Sequence, residues 1–162
     1  MLLFGKYCTK IHELLKREAE DYSPGYGVTL QMAKNADARL IDAQQKGASF
    51  LIGGPSFNGV SSALKPTIVT GVKENMIIYD EESFGPSVSL YIVKDDREAI
   101  ELVNASSYGL NAAVHTQNMT RGIDISRALE VGQVHINNIT EHDERMSDNF
   151  ILYYALLAIF VQ

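Results

Sequence analysis

A single cysteine, Cys8, stands among the 162 residues. It excludes an internal disulfide, and so sparse a use of thiols predicts a reducing, cytoplasmic setting. Basic runs are missing too. The 14 Lys and Arg are outnumbered by 20 Asp and Glu, a net charge of −6, so no stretch could neutralise a row of phosphates. Nucleic acid and anionic membrane surfaces are therefore excluded as partners. No G-x-G-x-x-G turn occurs, which removes the usual dinucleotide fingerprint. Met1-Leu2-Leu3-Phe4 breaks at Gly5-Lys6 and is too short for the apolar region of a secretory signal. The apolar run over 149–161 falls short of the roughly 20 residues that cross a bilayer. Internal repeats and low-complexity segments are absent.

What is present suits a globular chain. Hydrophobic residues make up 46%, and the length is enough for one domain with a core. Leu3, Tyr7, Ile11 and Leu15 recur at four, which predicts a helix ending near Asp21. Thr29 is placed to cap a second helix running to about Gln45, with Met32, Ala33, Ala36, Leu40 and Ala43 inward and Gly47 closing it. Short strands are expected at 50–52 and 66–69, with an exposed loop over 55–64. The second half predicts a strand at 87–93, a helix capped by Asp96, a strand at 112–115, a helix over 120–131 closed by Gly132, and a strand at 133–137. Strand–helix–strand alternation implies parallel pairing with right-handed crossovers, hence an α/β doubly wound unit on a mostly parallel sheet. Ligands of such sheets gather at the carboxyl ends of the strands. The apolar tail reads as a buried helix or strand, or as a protein contact.

The chain is organised around Asp80-Glu81-Glu82-Ser83-Phe84-Gly85-Pro86. Three acids sit beside an aromatic, and Gly-Pro then forces an extended or turning backbone. From spacing alone, the plain alternative is a set of solvated acids before a strand. The segment Glu81-Glu82-Ser83-Phe84-Gly85-Pro86 resembles the E-E-x-F-G-P motif of the aldehyde dehydrogenase superfamily. Lys46-Gly47-Ala48, Gly53-Gly54, Lys65-Pro66-Thr67, Glu98-Ala99-Ile100, Tyr108-Gly109-Leu110-Asn111-Ala112-Ala113-Val114 and Gly132-Gln133-Val134-His135-Ile136-Asn137 are similar to the family in order and spacing. The resemblance covers residues 1–146, as a truncated catalytic-domain fragment, and leaves 147–162 as a divergent apolar tail.

This resemblance implies particular roles. Glu82 resembles the ligand of the nicotinamide ribose hydroxyls, and Phe84 the aromatic beside the nicotinamide. Both are expected to be vestigial here, with no cofactor bound by this chain, because the family's NAD(P) is held mostly by another domain. Two hydrogen bonds and an aromatic face are too little for useful affinity. The family's nucleophile stands in a Gly-Gln-x-Cys context before the first helix. Cys8 lies inside the helical pattern without that approach, and is expected to be a packing cysteine. Residues 134–144, with His135, His142, Asp143 and Glu144, resemble the substrate side of relatives acting on aromatic aldehydes such as salicylaldehyde.

Two function classes follow. In one, the chain is a cofactor-independent acid–base catalyst (an isomerase, cyclase or condensation enzyme) on a carbonyl-containing small molecule. His142 and Asp143 would move the proton, with Glu144 or His135 orienting them. In the other it is a non-catalytic module pairing with itself or with a full-length relative. His135 and His142 lack metal-ligand spacing, so no metal is expected. A homodimer is expected, since a fragment of a larger fold exposes apolar surface.

Overall fold

The computed structural model describes residues 2–4, 13, 17, 23–138 and 156–160. They divide into two compact units, Tyr7–Tyr91 and a second made of Met1–Lys6 with Ile92–Gln162.

In the Tyr7–Tyr91 unit, Glu13 and Arg17 are helical, in keeping with the expected first helix. The helix pattern starts too early, however. Leu2–Phe4, which belongs to the other unit, is a strand, β1, because it pairs in parallel with a strand from the far end of the chain, a non-local partner that the local period cannot foresee. Strand β2 is Gly25–Tyr26, and helix α1 is Leu30–Gln45. Thr29 caps α1 by accepting from the Met32 N–H at 3.1 Å, and Gly47 follows in left-handed backbone at φ +94°, as the sequence predicts. Strands β3 (Ser49–Ile52), β4 (Ala63–Leu64) and β5 (Thr67–Thr70) come next. A short helix α2, Ile77–Asp80, then precedes β6, Ser87–Val93.

Strand β5 pairs antiparallel with β3 and parallel with β6. Leu40, Ala43, Ala48, Val69, Val72, Met76 and Ile78 form the main core of this unit. A smaller cluster holds Ala33, Ala36 and Leu64, with Phe57 against it. The 55–64 stretch is the exposed loop that its composition suggests only at 58–60. Its end, β4, pairs with β2, and the Ser56 and Phe57 N–H groups both donate to Oδ1 of the buried Asp37.

The second unit carries helix α3 (Asp96–Asn104), strand β7 (Asn111–His115), helix α4 (Met119–Ala128), strand β8 (Gln133–Ile136) and strand β9 (Leu156–Phe160). Strand β7 lies between β8 and β9, parallel to both, and β9 continues in parallel to β1. Residues 156–160 of the tail thus enter the sheet as a strand, one of the two forms expected. Ala112, Ala113 and Val114 are buried in succession, as a parallel strand covered on both faces requires.

Cap positions differ from the sequence reading by short steps. The cap of α3 is Asp95 rather than Asp96. Its carboxylate accepts from the Glu98 N–H at 2.8 Å, while Glu98 Oε2 accepts from the Lys94 N–H at 2.8 Å. Asp96 is instead drawn to Arg121 on α4, with two hydrogen bonds of 2.7 and 2.6 Å. This pairing raises the Arg121 guanidinium pKa further, chiefly through the hydrogen bonds. Helix α4 stops at Ala128, short of Val131. Asn104 donates to the Ala128 carbonyl and accepts from the Glu130 N–H, so a side chain of α3 terminates it before Gly132 is reached.

The pairs of the second unit are all parallel; the Tyr7–Tyr91 unit joins the parallel β5–β6 pair to two antiparallel ones, and the fold class is the expected α/β arrangement on a mostly parallel sheet. Among the described residues, no helix is long and apolar enough to cross a membrane.

Candidate functional site: the 81–86 loop

The acids that precede Phe84 part company in the fold. Asp80 ends α2. Glu81 turns back to α1, where its Oε2 lies 3.0 Å from Arg39 Nη2. Glu82 is half-buried, and burial pushes its carboxyl above the usual glutamate range. Phe84 adopts left-handed backbone at φ +48° and is 60% exposed. Few non-glycine residues stand in that region, and an aromatic held there marks a constrained loop.

Several contacts fix this conformation. The Ser87 N–H donates to the Gly85 carbonyl at 2.7 Å, and the Thr67 N–H to the Pro86 carbonyl at 2.9 Å. The Ser83 and Ser87 hydroxyls share a hydrogen bond of 2.8 Å. Gly85 lies so close to α1 that an added Cβ would stand 2.8 Å from Ala36 Cβ. Upstream, the Ile77 N–H donates to Asp42 Oδ2 at 2.9 Å. Asp42 also pairs with Lys46 at 2.7 Å. The Lys46 hydrogen bond first, and the Ile77 N–H second, hold its carboxyl below the usual aspartate range. The stability that Asp42 contributes is therefore present at neutral pH and is lost as pH falls through its lowered value. The site is one half-buried carboxylate and one exposed aromatic ring, two residues apart on a loop anchored to a helix. Such a pair can accept from hydroxyls and stack against a planar ring.

The other expected site lies at the carboxyl end of β8. His142, Asp143 and Glu144 fall outside the described residues. His135 is half-buried on β8, opposite Ala113 of β7, and its Nε2 is buried without a hydrogen-bond partner. Asn137 follows with φ +55°. Its amide accepts from the Thr116 N–H at 2.7 Å and donates to the Thr116 carbonyl at 2.8 Å, tying the carboxyl ends of β7 and β8 together. No group of three or more His, Cys, Asp or Glu side chains among the described residues could hold a metal.

Sequence reasoning missed Asp37, Arg39 and Asp42, the polar residues of α1 that carry the loops. A signal was available for Asp37, which falls on the apolar stripe of Ala33, Ala36 and Leu40. A charge there needs buried donors.

Several known proteins are similar to this chain. The aldehyde dehydrogenase family model matches residues 11–150. The NADP(+)-dependent succinate-semialdehyde dehydrogenase of Deinococcus radiodurans is 38% identical over 110 residues, covering 68% of this chain and 23% of its own length. The NAD(+)-dependent benzaldehyde dehydrogenase of Pseudomonas putida is 40% identical over 101 residues, with shares of 62% and 20%. The crystal structure of a salicylaldehyde dehydrogenase from Pseudomonas putida G7, complexed with salicylaldehyde, aligns with a TM-score of 0.81. The identity is 28%, over 88% of this chain and 31% of that one. The chain thus spans about a fifth to a third of the length of these relatives.

Proposed function

Because this chain belongs to the aldehyde dehydrogenase family, we propose that its 81–86 loop is the nicotinamide-facing element of an NAD(P)-dependent aldehyde-oxidising site. The supporting observation is the 60% exposed Phe84, locked in left-handed backbone two residues after the half-buried Glu82. These two residues fit the nicotinamide half of the cofactor: a carboxylate for ribose hydroxyls and an open aromatic face for the ring. A bound dinucleotide would supply the hydride acceptor. Glu82 would orient the ribose, and Phe84 would shield one face of the ring from water. The benzaldehyde and salicylaldehyde enzymes among the relatives support an aromatic aldehyde as the substrate class.

Two hydrogen bonds and one stacking contact give only weak binding, about millimolar or poorer. The 162 residues taken alone are therefore expected to leave NAD(P) unreduced with benzaldehyde. Titration of the ¹⁵N-labelled chain with nicotinamide mononucleotide tests the reading. Amide signals of residues 82–85 should move, and Glu82→Gln or Phe84→Ala should each weaken binding about fivefold. Glu82 accepts from hydroxyls as a carboxylate, so binding is present above its raised value and fades as pH falls through it. An ordinary glutamate would still be ionised in that window. Shifts confined to other regions, or variants that bind as well as the parent chain, would overturn the proposal.

One observation favours a second reading, in which the 134–144 segment is a cofactor-independent acid–base site for an isomerase, cyclase or condensation reaction. The buried Nε2 of His135 has no hydrogen-bond partner. Here His142 and Asp143 move the proton, and Glu144 or His135 orients them. His142→Ala should cost at least about a hundredfold in turnover of a carbonyl substrate. Full activity in both His142→Ala and Asp143→Ala would rule this reading out.

A further inference from the structure

We infer that Arg39 is a positioning residue for the 81–86 loop, acting through Glu81 to set where Glu82 and Phe84 stand. This rests on the reading of that loop as the nicotinamide-facing element. Helix α1 holds the segment between Ile77 and Gly85 at three points spaced three residues apart, which form one stripe of the helix. Asp42 accepts from the Ile77 N–H at the start of α2. Ala36 supports Gly85, where there is no room for a side chain. Between them, Arg39 Nη2 donates to Glu81 Oε2 at 3.0 Å, and Nη1 donates to the Asn35 carbonyl at 3.0 Å.

The geometry of Arg39 separates positioning from stability. Its side chain is 22% exposed, against 62% for Glu81. A pair with so open a partner contributes little to stability. The Arg39 Nε is buried without an acceptor, so the guanidinium makes two single bonds in different directions instead of a two-pronged fork on one carboxylate. The Asn35 bond fixes the guanidinium on α1, and the Glu81 bond transmits that position to the loop. Left-handed backbone at an aromatic needs restraint on both sides. Gly85, Pro86 and Ser87 supply it after Phe84, and Glu81 supplies it before.

The test compares ¹⁵N-labelled 162-residue chains carrying Arg39→Met, Glu81→Gln, both changes, and Arg39→Lys. Without ligand, Arg39→Met and Glu81→Gln should shift the amides of residues 82–84 in the same direction and raise their fast backbone motion. The double variant should go no further than either single one, since the two residues act as a unit. Arg39→Lys should restore part of the order. Affinity for nicotinamide mononucleotide should fall about fivefold in both single variants and in the double, while the urea midpoint stays that of the parent. Should Arg39→Met fail to fold, Glu81→Gln carries the comparison. Unchanged loop amides in the single variants, or effects that add in the double, would overturn the inference. A parent chain that binds no mononucleotide would defeat the loop's proposed function, and the ligand-free comparison would still decide the role of Arg39.

Discussion

Gly53→Ala should cost the Tyr7–Tyr91 unit at least about 3 kcal/mol. Gly53 stands at φ +74° immediately after β3. A Cβ there would run into the Pro66 carbonyl oxygen and would lie 2.5 Å from Thr67 Oγ1 and 2.9 Å from Thr67 Cα. The obstacles are backbone and a side chain only 2% exposed, so neither can swing aside. Thr67 is also a junction. Its hydroxyl accepts from the Gly54 N–H at 3.0 Å and donates to the Lys65 carbonyl at 3.0 Å. Its own N–H holds the Pro86 carbonyl. Displacing Thr67 therefore loosens β5 and the 81–86 loop together. Against a whole-domain stability of about 5–15 kcal/mol, such a loss is severe. Urea denaturation followed by circular dichroism measures it. A Gly53→Ala chain within about 1 kcal/mol of the parent would show that the approach of β3 to Pro66 is looser than described.

Asp37→Ala should cost about 2–4 kcal/mol, because it strands two backbone donors at once. Asp37 is 6% exposed, and its Oδ1 alone receives both the Ser56 and Phe57 N–H groups. This convergence on one oxygen distinguishes two substitutions. Asn keeps that acceptor and loses only the charge, so Asp37→Asn should cost about 1 kcal/mol. The same urea titrations decide it. Equal losses in the two variants would mean that the charge, rather than the acceptor, secures the 55–64 stretch.

Much of this fold is legible in the sequence where one local rule suffices. Thr29 is a capping residue before an apolar period, and Gly47 ends that period, so the bounds of α1 are legible almost to the residue. The alternation in 87–93 gave β6 with its exact bounds. Reading failed where a distant partner decides. Leu2–Phe4 is a strand because β9 returns to it. Helix α4 is short because Asn104 of another helix ends it. The 55–64 stretch is solvent-facing at 58–60, but composition does not show that Asp37 holds Ser56 and Phe57. At the site, the words Glu81-Glu82-Ser83-Phe84-Gly85-Pro86 were legible as a motif, but their division of labour was not. Nothing in three consecutive acids says that Glu81 turns to Arg39 while Glu82 sinks into the fold and Phe84 stands out. His142, Asp143 and Glu144 lie beyond the described residues, and their chemistry stands as read from sequence.

The central claim is that Glu82 and Phe84 form the nicotinamide-facing element, and a crystal of the chain soaked with nicotinamide mononucleotide tests it most directly. The expected result is the nicotinamide ring against the face of Phe84, with a ribose hydroxyl donating to the Glu82 carboxylate within ordinary hydrogen-bond distance, about 2.5–3.0 Å. A mononucleotide bound elsewhere on the chain, with Phe84 and Glu82 untouched, would contradict the account.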